Sequence, residues 1–326
     1  MTSTDQPTPQ VKGKPAKPSD TPTFKFSGHE TFPCRYAWLP KGFQAVRENS
    51  RVFADEDEAM IVLGVGKNMV RAIRFWVQAA GVARTDGDGL KTTEFGDAVL
   101  GERGFDPFLE DVRTLWLVHW KLCTPSEAPL FAWDYLLNRW QQPEFTRAGA
   151  LAGLQIEAAR LDNRRLSTVT LEQHFDTFLH TYVPTRSRKG EIQEDSLDCP
   201  LVELELIHKV GERRADDQGR TETIYAFRRE EKKEISSGLF LFCLHEYWQA
   251  RHREEATLLF RDIALAAGSP GQIFKLTEVD MRARLERLEQ DSDGLYAYRE
   301  SASFRQVVRT GKTNGDLLAS IYRTQA

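Results

Sequence analysis

The chain has 326 residues, of which 40% are hydrophobic and 28% charged, and its formal net charge is −4. This suits a globular protein with room for two domains, and no run of about 18 apolar residues exists to cross a membrane. The slight negative charge excludes a general electrostatic attraction to nucleic acid, so any DNA contact needs a local basic stripe. Cys34, Cys123, Cys199 and Cys243 are far apart, with no CxxC pair. That spacing argues against a zinc knuckle and predicts reduced thiols in a cytoplasmic protein. The N-terminus also lacks the apolar core of a secretory signal.

Residues 1–23 are rich in Pro, Thr, Ser and Lys, which predicts a disordered tail with almost nothing to bury. Order is expected from "FKFSGHETF", and residues 24–153 form the first domain, with apolar residues mostly at helical spacing. "GHETFPCR" gathers His29, Glu30 and Arg35 ahead of the aromatics Phe32, Tyr36 and Trp38. A His with a Glu can activate water or bind a divalent ion, and an Arg can hold a phosphate, so these three are candidate catalytic residues. The same residues also suit a structural staple, with Glu30 pairing Arg35 and His29 hydrogen-bonded.

"LGVGKNMVRAIRFW" raises a choice between a phosphate loop and a turn between helices. A P-loop needs glycine where Ile61 stands and Ser or Thr where Asn68 stands, and the dinucleotide pattern needs a third glycine at Met69; all three tests fail. Instead "DEDEAMIVL" predicts one helix, Gly64 to Gly66 a turn, and Lys67 to Ala80 a second helix stopped by Gly81. Val70, Ile73, Val77 and Ala80 fall on its core face. Lys67, Arg71, Arg74 and Gln78 fall on the opposite face, with Asn68 beside them. Cations and amides on one stripe suit phosphates and base edges of a major groove. "VARTDGDGLKTTEFGDAVLG" then predicts strand, turn, strand and capped helix, a wing carrying Arg84 and Lys91. A solvated helix face is the alternative reading of the same charges.

On "LEDVRTLWLVHWKLC", His119 and Cys123 are four residues apart within bulky apolar neighbours, which predicts a buried, satisfied histidine beside a core thiol. Residues 154–170 are polar and charged in their middle and are expected to be a hinge. The second domain, 171–326, opens with an acidic stretch in which Asp195 precedes Glu203 and Glu205. If "LVELELI" is a strand, the two glutamates share one face, and the three carboxylates could hold Mg²⁺ or Mn²⁺. If it is a helix they scatter, and ordinary acidic surface is the other reading. "LVELELIHKV" and "TIYAFRRE" read as strands around a charged loop. "SSGLFLFCLHEYW" and "TLLFRDIALAAG" read as helices, "SPG" as a turn, "TEVDMRARLERLEQ" as a helix opened by Thr277 and Asp280, and "DGLYAYRES" as a wing strand. The expected fold is mainly α in the α+β class: a winged helix-turn-helix N-terminal domain, then a helical domain with a small sheet that is also winged-helix-like.

With "FSGHETF" and Arg35, "WLPKG", "LGVGKNMVRAIRFW", "LWLVHWKL", "EDSLDCPL" and "SPGQIFKL", the chain resembles the SspB-like family of bacterial Ssp-type DNA phosphorothioation systems. The resemblance implies a nicking endonuclease that opens one DNA strand with a divalent cation during sulfur modification and phage defence. It also implies partners: double-stranded DNA, a cysteine desulfurase, an ATP-using sulfur-transfer enzyme and an ATPase. Beside this metal-dependent nickase stands a non-catalytic winged-helix adaptor that recruits the sulfur-transfer enzymes. A transcription regulator would favour a dimerisation helix, and no heptad pattern supports one.

Overall fold

The computed structural model describes residues 23–125, 128–161, 166–184, 199–214, 219–311 and 315–323. The expected tail lies outside these residues apart from Thr23, as do Asp195 and residues 162–165 of the expected hinge. The fold is α+β, mainly helical, with small antiparallel sheets.

After the GHETF loop come α1 (Trp38–Glu48), α2 (Glu56–Leu63), α3 (Lys67–Ala79) and the hairpin β1 (Ala83–Asp86) with β2 (Gly89–Thr92). Local chemistry sets each boundary. The Asp55 carboxylate accepts from the Asp57 and Glu58 amides, and Glu56, Asp57 and Glu58 place negative charge at the positive end of α2. Gly64, at φ 64°, ends α2 in the left-handed cap that glycine adopts without strain. Val70, Ala72, Ile73, Phe75, Trp76 and Val77 bury one side of α3. Thr93 caps the next helix, α4 (Glu94–Leu100), and its hydroxyl donates to the Gly81 carbonyl at 2.6 Å.

The same order of helix, helix and hairpin recurs twice more, each time with an added short strand. The middle unit has α6 (Phe131–Trp133), which continues as π-helical turns Asp134–Arg139, then β3 (Glu144–Thr146), α7 (Arg147–Leu161), α8 (Thr168–Tyr182), β4 (Ile207–Arg214) and β5 (Thr221–Phe227). The last unit has α9 (Ser237–Arg251), β6 (Thr257–Leu259), α10 (Phe260–Leu265), α11 (Pro270–Ile273), α12 (Glu278–Asp291), β7 (Tyr296–Glu300) and β8 (Arg305–Arg309). Their sheets have one topology, β3-β5-β4 and β6-β8-β7. A short helix α13 (Leu317–Tyr322) closes the described chain.

Of the expected hinge, residues 154–161 form the last turns of α7, with Leu154 and Ala158 on its buried stripe. Two expectations need correction. "TLLFRDIALAAG" begins as strand β6, with Leu258 buried opposite Val307, before helix α10 starts. "LVELELI" is neither strand nor α-helix: Pro200–Leu204 is a 3₁₀ turn and the strand starts at Ile207.

Between the first two units runs α5 (Val112–Cys123), buried nearly all round, as a helix apolar on every side must be. His119 donates through Nε2 to the Ile273 carbonyl at 3.2 Å and accepts through Nδ1 from the Tyr182 hydroxyl at 2.8 Å. Trp133 donates to that same hydroxyl at 3.0 Å. One helix therefore bonds to α8 and to α11. Lys275, also buried, reaches the Leu137 carbonyl at 2.5 Å, and the Gln272 amide joins it there at 2.8 Å. "SPGQIFKL" is thus a tie between the last unit and the middle one.

Burial holds His119 at about 4, His29 at about 4 and His174 at about 3, each below its usual value. In the unfolded chain a histidine titrates at about 6.5. Between these limits unfolding takes up protons that the native state refuses, so stability rises with pH through this window and is lost on acidification. Urea unfolding followed from pH 7 down to pH 4.5 should show the midpoint falling as the unfolding free energy drops, by up to about 1.4 kcal/mol per pH unit for each proton taken up once the pH is below about 6.5. A midpoint unchanged over that range would contradict the neutral burial of these rings.

Candidate nucleic-acid interface

Lys67, Asn68, Arg71 and Arg74 are exposed along the outer side of α3, as expected, and Gln78 is half-buried. The Gln78 amide donates to the Thr85 hydroxyl at 3.0 Å, which fixes the hairpin against the helix. Arg84 and Lys91 are direct cross-strand partners on that hairpin, and both are exposed. Like charges placed opposite each other repel, and an anion between them would relieve that. Neither they nor Arg74 makes an ion pair among the described residues. Lys67 and Arg71 differ. Both close on Glu56, whose carboxylate is 2.6 Å from Lys67 Nζ and 2.6 Å from Arg71 Nε. The hydrogen bonds from Arg71 and Lys67 hold the Glu56 carboxyl down at about 2.

The corresponding helix of the last unit is α12; of its three cations Arg282 and Arg284 are engaged within the chain, while Arg287 is exposed. Arg284 is buried and donates to Asp280 at 2.8 Å and to the Ile235 and Lys232 carbonyls. Arg282 pairs with Glu286 at 2.9 Å and Glu300 at 3.3 Å. Among the described residues α3 and its hairpin thus present Arg74, Arg84 and Lys91 outside any ion pair, against Arg287 alone on α12.

The GHETF loop lies against the buried side of α3. Gly28 has φ 106°, and a Cβ there would meet Phe75 at 2.9 Å, so the loop passes too close for any other residue. His29 is 3% exposed and points inward, not towards solvent. The Ala132 amide donates to His174 Nε2 at 3.0 Å, so His174 carries its proton on Nδ1 and gives it to His29 Nε2, also at 3.0 Å. His29 Nδ1–H then faces the Thr177 hydroxyl at 3.2 Å, and that hydroxyl donates to the Gln173 carbonyl. The Thr31 amide also lies 3.1 Å from Nδ1. This tautomer pair serves the Ala132 amide and leaves the Thr31 amide without that acceptor. Arg35 lies over the Trp38 ring at 5.4 Å and the Phe32 ring at 6.0 Å. Glu30 is half-buried, and its charge acts on Arg71. The structure therefore does not bring His29, Glu30 and Arg35 around one ligand: one faces the core, one the α3 cations, one the aromatic rings.

The acidic candidates are also separated from any shared strand face. Glu205 is the left-handed cap of the 3₁₀ turn, at φ 46°, while Glu203 stands within the turn and accepts from the Tyr36 hydroxyl. Burial and the neighbouring Glu203 raise the Tyr36 hydroxyl above its usual value. Among the described residues no three His, Cys, Asp or Glu side chains gather where they could hold a metal ion. Sequence reasoning missed Glu56 as a partner of α3. Its signal is the acidic run "DEDE" set at the start of the helix that precedes a basic one.

A family described as "Protein of unknown function (DUF4007)" matches residues 26–322. The chain belongs to the DUF4007 family. Two solved structures resemble it closely. One is described as a magnesium ion-bound SspB crystal structure, at 26% identity and a TM-score of 0.77. The other is described as an SspB crystal structure, at 25% identity and a TM-score of 0.76. Each comparison covers 91% of this chain and 85% of the other. This DUF4007 chain is therefore SspB-like over nearly its whole length. No curated protein matches it. Among the described residues no helix is long and apolar enough to cross a membrane.

If His29 and His174 form one hydrogen-bonded unit, replacing either with alanine should cost about 2 to 4 kcal/mol, from a cavity and an unsatisfied partner. The double replacement should cost less than the sum by roughly 1 to 2 kcal/mol, measured by urea unfolding at neutral pH. Strict additivity would show that the rings do not act together.

Proposed function

We propose that this DUF4007 chain binds duplex DNA as a component of an Ssp-type DNA phosphorothioation system, with α3 as its recognition helix. On this reading the helix–helix–hairpin units are winged helices, and the β1–β2 hairpin is the wing that places Arg84 and Lys91 on the backbone. The single observation that carries it is the exposed stripe of Lys67, Asn68, Arg71 and Arg74, continued by Arg84 and Lys91 on a hairpin fixed to the same helix. Phosphate contacts of this kind position a protein on DNA, and Asn68, Arg74 and Gln78 are the side chains suited to base edges.

We further propose that the activity is a metal-dependent nick. The support is the likeness to SspB, one structure of which is described as magnesium ion-bound. Magnesium is commonly held by one or two carboxylates together with substrate phosphates, so a three-ligand protein cage is not required. Asp195, Glu203, Glu205 and Glu30 are the carboxylates to test; His29, buried and neutral, would support the fold instead of moving a proton. The sulfur chemistry belongs to the proposed partners, a cysteine desulfurase, an ATP-using sulfur-transfer enzyme and an ATPase, in the cytoplasm.

One observation favours a second reading, a non-catalytic adaptor. On α2, Ile61 and Val62 are 83% and 53% exposed, an apolar pair beside the DNA-facing turn that suits a docked protein. A supercoiled-plasmid assay with Mg²⁺, Mn²⁺ or EDTA separates the two. The nickase reading expects cation-dependent conversion to open circles, lost in at least one of Glu30→Ala, Asp195→Ala, Glu203→Ala or Glu205→Ala while duplex binding persists. Binding without any nick supports the adaptor. Equal nicking by every variant, including Lys67/Arg71/Arg74→Ala, would overturn the nickase reading.

A further inference from the structure

Glu56 stands in the first turn of α2 and is gripped from two directions. One carboxylate oxygen accepts from Arg71 Nε at 2.6 Å; the other accepts from the Arg71 terminal nitrogen at 3.2 Å and lies 2.6 Å from Lys67 Nζ. A guanidinium fork and an ammonium closed on a flat oxyanion form the donor set that also grips a phosphodiester. The group is accessible, with Glu56, Arg71 and Lys67 side chains 31%, 44% and 53% exposed. The same Arg71 nitrogens cannot serve the carboxylate and a phosphate at once.

We propose that the Arg71–Lys67 clamp is a seat for one backbone phosphate of duplex DNA, and that Glu56 holds that seat in the free protein and is displaced when DNA binds. The proposal rests on α3 being the DNA-contacting helix. Solvent screens an exposed ion pair and leaves it weak. A duplex offers a dense phosphate array and releases counterions, which favours the exchange. Glu56 thereby keeps the two cations extended and correctly spaced while it weakens attachment to any DNA the rest of the stripe does not recognise. Glu30 adds a second negative charge near Arg71.

The test is Glu56→Gln, which keeps the shape and leaves Asp55 as the cap of α2, measured with a short fluorescein-labelled duplex of arbitrary sequence over a salt series. We expect binding about tenfold tighter than wild type, and a log–log salt slope steeper by about one. On a Lys67→Ala/Arg71→Ala background the same substitution should give no gain. If Glu56→Gln binds no better than wild type while Lys67→Ala/Arg71→Ala weakens binding, the displacement is overturned and the DNA reading stands. If Lys67→Ala/Arg71→Ala binds as wild type does, the DNA reading fails and the proposal falls with it.

Discussion

A helix with almost no solvent face governs this structure. Within α5 Leu115, Trp116, Leu117, Val118, His119, Trp120, Leu122 and Cys123 are all buried, so the helix is stable only when other elements enclose it. Most of its buried side-chain polar groups find partners inside, although the Trp116 indole nitrogen has none among the described residues. His119 finds them at both ring nitrogens, with Tyr182 on one side and Ile273 on the other, and the Trp120 indole reaches Glu246 of α9 at 2.8 Å. An unmet bond at any of these points would cost the desolvation of a buried polar group. The middle and last units are thereby fastened to one strut.

The strings that carry the family resemblance lie at such fastenings more than at exposed chemistry. "LWLVHWKL" is the strut itself. "SPGQIFKL" supplies Gln272 and Lys275, which both reach the Leu137 carbonyl. "FSGHETF" joins the N-terminal segment to α8 through His29 and His174, while Phe26 packs on Phe131 with ring centroids 4.7 Å apart. A histidine beside a glutamate in sequence suggests water activation, but φ angles of 50° at Glu30 and 64° at Thr31 turn the loop so that the two side chains diverge. The loop's geometry serves close packing on Phe75.

Much of the first unit was legible because local signals agree there. The Asp55 cap, the Gly64 turn, the apolar period of α3 and the Gly81 stop all act within a few residues, and each element forms where they place it. The middle unit was legible only in its β4–β5 hairpin. Its third strand pairs with β3 from a distance in sequence, Phe145 opposite Tyr225, and β3 itself is only three residues long. The charge pattern alone also misjudged availability. Arg71 and Lys67 look free on a helical wheel, but Glu56 comes from the neighbouring helix, and the Arg284 guanidinium is drawn into the core by carbonyls of another segment. Such partners appear only once tertiary structure brings the elements together.

The central claim is that α3 and the β1–β2 hairpin face the duplex. It is tested most directly by hydrogen exchange of the full chain, read by mass spectrometry with and without a short duplex at low salt. The account predicts slower exchange in peptides covering Gly64 to Gln78 and Arg84 to Lys91, with α12 and the β7–β8 hairpin unchanged. Protection confined to α12, or to the β4–β5 hairpin, with none in α3, would contradict it.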